Sequence, residues 1–495
     1  MAKPDHSELV DKILTGARWA TVLRLGAQIF SWLSTIIVVR FISPEDYGLN
    51  SMLESPLILM MLISTLGLDA ALVQAKHIKS EELQSIFGWL LIVNVLLFLL
   101  YFFGGSLLAA YFNEPRLDSL AKALAFIFLF VPFRVIPNAL LDRELNFKSV
   151  AQIEITATVV AAALTLALAY FGAGVWALVM GIIVNKLLLA ILLMIFKPWF
   201  IVPRFNFSVT FRLMSVGGIL TLASTFTLLS GMLATLIAGP KLGSALLGLY
   251  SVASQFALLP LTKGMPIINK TMLPAFSKFQ SDRNSATYYL ERLLGVISLV
   301  FVPMMVGLAC VSDTFVITLF GAKWAPSILP LAIMSLGVVL RMNTVLLRSA
   351  MIGMGRADLI LKSSALQLGL LLLLTIYAVE YGIIGLATAW VTTEILITFA
   401  TARWSKMAFD TTFKSLLNCY RPALVASTIM AILVLGSKYL LRNQHNMVVL
   451  LIPIAIGLLS YYLATRFLFL TELQTALKTV FGNRFLFLAP SAKEL

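Results

Sequence analysis

The chain is poor in charge, cysteine and histidine. Only 12% of its 495 residues are Asp, Glu, Lys or Arg, about half the share found in a soluble domain, while 60% are hydrophobic. A soluble protein is excluded, because runs of about 20 apolar residues recur along the chain and each is long enough to cross a hydrocarbon core of roughly 30 Å. Cys310 and Cys419 both lie in or beside such runs, which leaves no disulfide framework and no thiolate metal cluster. With His6, His77 and His445 as the complete histidine set, neither a histidine metal site nor histidine acid–base chemistry is expected. A phosphate-cradling glycine loop, a nucleophile elbow and an acidic pair in an aqueous loop are all missing as well. The longest exterior connection, about Val311 to Pro326, is too short for a catalytic domain. The expectation is therefore no enzyme, with no catalytic residue, metal or cofactor. No cleavable leader is evident, since Asp5, Glu8 and Asp11 precede the first apolar run.

What is present is an all-α polytopic membrane protein. About fourteen spans are expected, near 19–39, 50–72, 85–110, 119–140, 151–171, 174–196, 213–237, 246–266, 291–310, 327–347, 363–380, 383–403, 422–438 and 446–465. Ser7 to Arg18 reads as an amphipathic helix in the membrane interface, with Leu9, Val10, Ile13, Leu14 and Ala17 on one face. The net charge of +14 suggests nucleic acid, but its distribution decides otherwise. With both termini cytoplasmic, that side holds 26 Lys and Arg, against Arg40, Arg116, Lys241, Lys323, Lys438 and Arg442 outside. This is the positive-inside asymmetry of a membrane protein, and no nucleic-acid partner is expected.

A weak repeat organises the chain. Arg40 to Met60 matches Ala238 to Pro260, with Gly48-Leu49 on Gly248-Leu249. Phe207 to Arg212 matches Phe409 to Lys414, and Phe171-Gly172 matches Tyr381-Gly382. Two pseudo-symmetric six-helix bundles follow, an even number of spans making the repeat parallel. The expected parts are an interfacial segment at 1–18, bundles at 19–212 and 213–415, an extra helix pair at 416–470 and a cytoplasmic tail at 471–495.

Ionisable residues inside spans are costly and so are candidate functional groups. Arg24, Arg134 and Arg341 sit at similar depths from the cytoplasmic ends of spans one, four and ten. Together they suit bidentate capture of a diphosphate; the alternative is that each snorkels to the interface or pairs with a carboxylate. Lys186 in span six and Glu394 in span twelve are pseudo-equivalent positions of opposite sign. They are candidates for gating or ion coupling across a central cleft, or else form a static pair or bond locally. Glu54, Asp69 and Glu154 lie nearer helix ends and read as structural. Pro132 and Pro137 around Arg134, and Pro260 and Pro266 in span eight, mark expected bends.

Several stretches carry a family resemblance in order along the chain. They are Gly16-Ala17-Arg18-Trp19, Ser43-Pro-Glu-Asp-Tyr-Gly48, Gln74-Ala-Lys76, Leu141-Asp-Arg-Glu-Leu-Asn-Phe147 with Glu154, Leu273-Pro-Ala-Phe-Ser-Lys-Phe-Gln280, Phe320-Gly-Ala-Lys-Trp324 and Gly355-Arg-Ala-Asp358. The pattern resembles the polysaccharide transporter family, most of all its Wzx-type exopolysaccharide branch, within the multidrug/oligosaccharidyl-lipid/polysaccharide exporter superfamily. The resemblance implies two bundles arranged as a V around a central cavity. It also implies flipping of undecaprenyl-diphosphate oligosaccharide from the cytoplasmic to the outer leaflet of a bacterial inner membrane, by alternating access and coupled to a proton or sodium gradient. Implied partners are that lipid-linked glycan, membrane lipid, and a polysaccharide polymerase with chain-length and export proteins. The rival reading is a cation-coupled multidrug-type antiporter.

Overall fold

The computed structural model describes residue 26 and residues 30–65, 67–68, 72, 79–199, 202–205 and 218–474. Fourteen helices organise these residues. The first seven are α1 (Phe30–Phe41), α2 (Pro44–Thr65), α3 (Ser80–Phe112), α4 (Arg116–Ala125), α5 (Ile127–Arg143), α6 (Phe147–Tyr170) and α7 (Val175–Phe196). Then come α8 (Gly218–Lys278), α9 (Arg283–Leu319), α10 (Ile328–Gly353), α11 (Ala357–Ala378), α12 (Gly382–Ser405), α13 (Phe413–Leu441) and α14 (Asn446–Leu468).

Eleven helical stretches among the described residues are long and apolar enough to cross a membrane. Two of them, Leu222–Met265 and Ala357–Ser405, each hold two expected crossings. With the shorter α1 included, every expected span has a helix. The protein is an integral membrane protein.

The helices are amphipathic inside out. On α3, Leu96, Leu100, Phe103 and Leu107 recur every three or four residues and are all exposed, the stripe expected of a lipid-facing surface. The opposite face holds Asn94, fully buried, which donates to the carbonyls of Ser64 and Leu90 at 3.0 and 2.9 Å. Tyr101 on that face donates to the Leu53 carbonyl at 2.8 Å. Such polar contacts matter between helices in lipid, where apolar surface alone gives no preference for protein over hydrocarbon.

Helix ends are set by local chemistry. Asn146, Asp282 and Thr412 accept the backbone N–H of Ser149, Ser285 and Ser415 at 3.2, 3.1 and 3.0 Å, which satisfies first-turn donors of α6, α9 and α13. Left-handed residues stop the chain at repeating places. Asn113 after α3 and Gly321 after α9 lie 208 positions apart, and Leu145 after α5 and Gly355 after α10 lie 210 apart. Gly174 (φ 57°, ψ −133°) and Gly382 (φ 65°, ψ −153°) open α7 and α12, again 208 apart. The backbone thus aligns Gly382 with Gly174, two residues beyond the Gly172 suggested by the sequence match.

The described chain forms two compact units. Unit 1 comprises Met1–Gly218 with Ala238–Gly248, and unit 2 comprises Ile219–Ile237 with Leu249–Leu495. In unit 1, α3 packs on α4, and α7 packs on α5 and α6. Gly181 of α7 has no room for a side chain, since a Cβ there would lie 2.0 Å from Thr165 Oγ1. In unit 2, α10 packs on α9 and α12, and α11 packs on α12. The pair α13 and α14 docks on α9; Lys438 bridges to the Asp313 carboxylate and the Cys310 carbonyl, both at 2.6 Å, and Tyr461 donates to the Leu299 carbonyl at 2.7 Å.

The expected connection between spans seven and eight is helical. Within the 61 residues of α8 the backbone leaves helical angles at Gly243 (φ 77°, ψ 172°). Around Arg134 no break occurs: α5 runs through both Pro132 and Pro137. The interruption in span four lies earlier, at Phe126 between α4 and α5.

Candidate functional site

In unit 2 the site is built where α10 and α12 run side by side. Gly337 makes the approach close, because a Cβ there would lie 2.7 and 2.8 Å from side-chain atoms of Val391 and Trp390. One turn further along each helix, Arg341 faces Glu394. The next turn brings the hydroxyls of Thr344 and Thr398 to 3.3 Å. This register makes the two helices parallel neighbours and sets the carboxylate opposite the guanidinium.

Glu394 has no exposed surface. Its Oε1 accepts Nη1 of Arg341 at 3.0 Å and Nε2 of Gln367, from α11, at 3.2 Å. The Gln367 carbonyl oxygen in turn accepts Nη2 of Arg348 at 3.0 Å. Arg341 and Arg348 are seven residues apart, two turns of α10, and therefore share a face. Two buried atoms of this network have no hydrogen-bond partner, Glu394 Oε2 and Arg348 Nε. Arg341 is the member that reaches outward, its side chain 16% exposed.

Unit 1 holds a related cluster. Glu54 of α2 lies within electrostatic range of Lys186 of α7. Lys186 also feels Arg134 of α5. In unit 1 Lys186 thus lies near both Glu54 and Arg134, and in unit 2 two cations, Arg341 and Arg348, gather around one carboxylate, Glu394. A pair of cations facing one carboxylate leaves positive charge inside apolar helices, where charge is costly unless an anion completes it. The chemistry the unit 2 cluster can do is to hold an anion.

Of the five residues singled out from sequence, Arg24 lies outside the described residues. Arg134 and Lys186 come together in unit 1, and Arg341 and Glu394 in unit 2. Lys186 and Glu394, considered above as a pair across a cleft, each have an opposite charge within their own unit. Arg341 pairs with a carboxylate, the alternative that the sequence left open beside diphosphate capture. Sequence reasoning missed Arg348 and Gln367 and read Glu54 as structural. The available signal for Arg348 was its two-turn spacing from Arg341; Gln367 is uncharged and gives none. No group of three or more His, Cys, Asp or Glu able to hold a metal occurs among the described residues.

Comparison with known proteins supplies a further constraint. The sequence profile of a family described as polysaccharide biosynthesis protein matches residues 37–329. The chain is 30% identical over 332 residues to the lipopolysaccharide biosynthesis protein WzxC of Escherichia coli (strain K12), covering 65% of this chain and 66% of that one, just under two thirds of its length. It is 24% identical over 473 residues to the teichuronic acid biosynthesis protein TuaB of Bacillus subtilis (strain 168), covering 92% of this chain and 95% of that one. Among solved structures, the lipid II flippase MurJ in an inward closed conformation superposes with a TM-score of 0.73 at 16% identity, covering 92% of this chain and 99% of that one. That likeness is one of fold.

Proposed function

The chain belongs to the polysaccharide biosynthesis protein family, and from that premise we propose that it is a transporter that flips lipid-linked oligosaccharide. Its substrate is undecaprenyl-diphosphate oligosaccharide, carried from the cytoplasmic to the outer leaflet of a bacterial inner membrane for exopolysaccharide assembly. Transport proceeds by alternating access, draws on a proton or sodium gradient, and hands its product to a polymerase with chain-length and export proteins. Both termini are cytoplasmic.

The observation that carries this reading is the pair of guanidiniums, Arg341 and Arg348, gathered around one buried carboxylate, Glu394, in unit 2. A diphosphate with a glycan headgroup cannot cross hydrocarbon unaided, whereas its polyprenyl tail can remain in lipid. Guanidinium groups hold phosphate oxygens bidentately and keep their charge at any physiological pH. The same excess disfavours the multidrug antiporter, whose cationic cargo calls for an acidic site. The names of WzxC and TuaB, a lipopolysaccharide and a teichuronic acid biosynthesis protein, point the same way.

The test is transbilayer movement of undecaprenyl-diphosphate oligosaccharide in proteoliposomes under an imposed proton or sodium gradient. Protein-dependent movement is expected, and its response to each gradient names the coupling ion. No movement, in vesicles where a known flippase works, would overturn the proposal.

A further inference from the structure

Glu394 and its neighbours contain an unusual pair of vacancies. Oε2 of Glu394 is an acceptor without a donor, and Nε of Arg348 is a donor without an acceptor. Both are buried, they belong to the same network, and the side chain between them is Gln367, which touches both residues. Leaving a charged group's hydrogen-bonding atom dry and unmatched is costly. An arrangement that left both vacancies in place permanently would gain nothing from them.

We propose that Glu394 is a counter-ion with two seats, and that substrate moves it from one to the other. In the arrangement seen here it holds Arg341. When a diphosphate oxyanion takes Arg341, the Glu394 carboxylate turns toward Arg348, and Oε2 accepts Nε–H of that guanidinium. The two vacancies then satisfy one another. Arg341, already the outward-reaching member, becomes free to present its fork to phosphate oxygens. At no point is a buried carboxylate left without a cation, so the charge is handed over rather than exposed. Gln367 guides the exchange, since its amide bonds Arg348 on one side and Glu394 on the other. No bond is made or broken covalently; only hydrogen bonds exchange partners. Arg348, Gln367 and Glu394 are thus positioning residues acting through Arg341. This inference rests on the transport reading given above.

It is tested by binding of undecaprenyl diphosphate to the purified full chain in lipid nanodiscs. Arg341→Ala should abolish specific binding. Arg348→Gln removes the second seat without touching the ligand, so Arg341 stays held; the competent fraction falls and apparent affinity drops about tenfold. Adding Glu394→Gln to Arg348→Gln removes the holder as well, and affinity should return to within about twofold of wild type. A purely structural Arg348 would give a loss that the second substitution deepens. Where Arg348→Gln fails to fold, difference infrared spectroscopy on wild-type protein replaces it. Ligand addition should shift the Glu394 carboxylate band, identified by its absence in Glu394→Gln. An Arg348→Gln variant binding like wild type, a double variant binding no better than Arg348→Gln, or an unshifted band would each overturn the two-seat arrangement. Wild-type protein that does not bind undecaprenyl diphosphate would sink the transport reading itself; binding that needs Arg341 but is indifferent to Arg348 would sink the exchange alone.

Discussion

Gly48 and Gly248 lie over each other's helix starts. A Cβ on Gly48 would fall 1.8 Å from the Ser244 carbonyl oxygen, and one on Gly248 would fall 1.7 Å from the Pro44 carbonyl oxygen. Gly48 and Gly248 are 200 residues apart, as are Pro44 and Ser244, so the contact is reciprocal across the internal repeat. All four residues belong to unit 1, which includes the Ala238–Gly248 stretch of α8. Backbone meets backbone here, and no flexible side chain can yield.

Gly48→Ala should therefore destabilise the protein by about 1–3 kcal/mol, the usual cost of overpacking, and Gly248→Ala should do the same. Combining them should cost less than the sum, because both open one contact. Thermal unfolding in detergent reads all three. Gly231→Ala is the control, having open space where its Cβ would go, and should be neutral or slightly stabilising.

Arg341→Ala should abolish flipping, but it should also lower membrane abundance. Its loss removes the direct ion-pair partner of Glu394 and leaves that carboxylate to Arg348 alone, so the cost should stay below the about 3–5 kcal/mol of a buried pair broken with no second cation at hand. Adding Glu394→Gln should restore abundance while transport stays absent. Quantitative immunoblotting beside the proteoliposome assay separates the two effects. Arg341→Lys should rescue transport only in part, since an ammonium lacks the bidentate fork.

Arg134→Ala should also abolish flipping. Its effect on abundance should be smaller than that of Arg341→Ala, because its removal relieves a like-charge repulsion with Lys186. Equal losses of abundance for the two variants would contradict this account.

At the start of α9, the Ser285 hydroxyl and backbone N–H hold the Asp282 carboxyl below the ordinary carboxylate range. A depressed carboxylate stabilises the fold above its unfolded value, near pH 4, and that contribution is lost as pH falls through the folded value. Amide protection in the first turn of α9, measured against the unstructured chain at the same pH, should accordingly fall on acidification in wild type. Asp282→Asn, which caps without ionising, should remove that dependence.

Much of this architecture is legible in the chain because lipid imposes long apolar runs, and those runs appear as helices at the expected places. The repeat is legible only in part: Gly174 and Gly382 share a positive φ at helix starts, whereas Gly355 is matched by Leu145 and Gly321 by Asn113, a correspondence of backbone that no shared residue type reveals. The connection inside α8 was hidden, since Pro240, Lys241 and Gly243 read as a loop although Gly243 alone departs from the helix. Arg348 escaped because hydropathy ended span ten at about residue 347, whereas α10 continues to Gly353. Glu54 looked structural because depth along a span says nothing about which neighbour a side chain meets. Burial and pairing are properties of helix packing, and a single helix does not encode them.

The surplus guanidinium beside Glu394 also makes the protein electrically lopsided. A charge inside the membrane experiences the transmembrane potential, worth about 2.3 kcal/mol per elementary charge per 100 mV. If the chain carries a lipid diphosphate as proposed, the unladen site is net positive and is pulled toward the negative, cytoplasmic face. A diphosphate diester brings two negative charges, so the laden site is net negative and is pushed the other way. The resting voltage of the cell would then assist both strokes, returning the unladen carrier inward and driving the laden one outward.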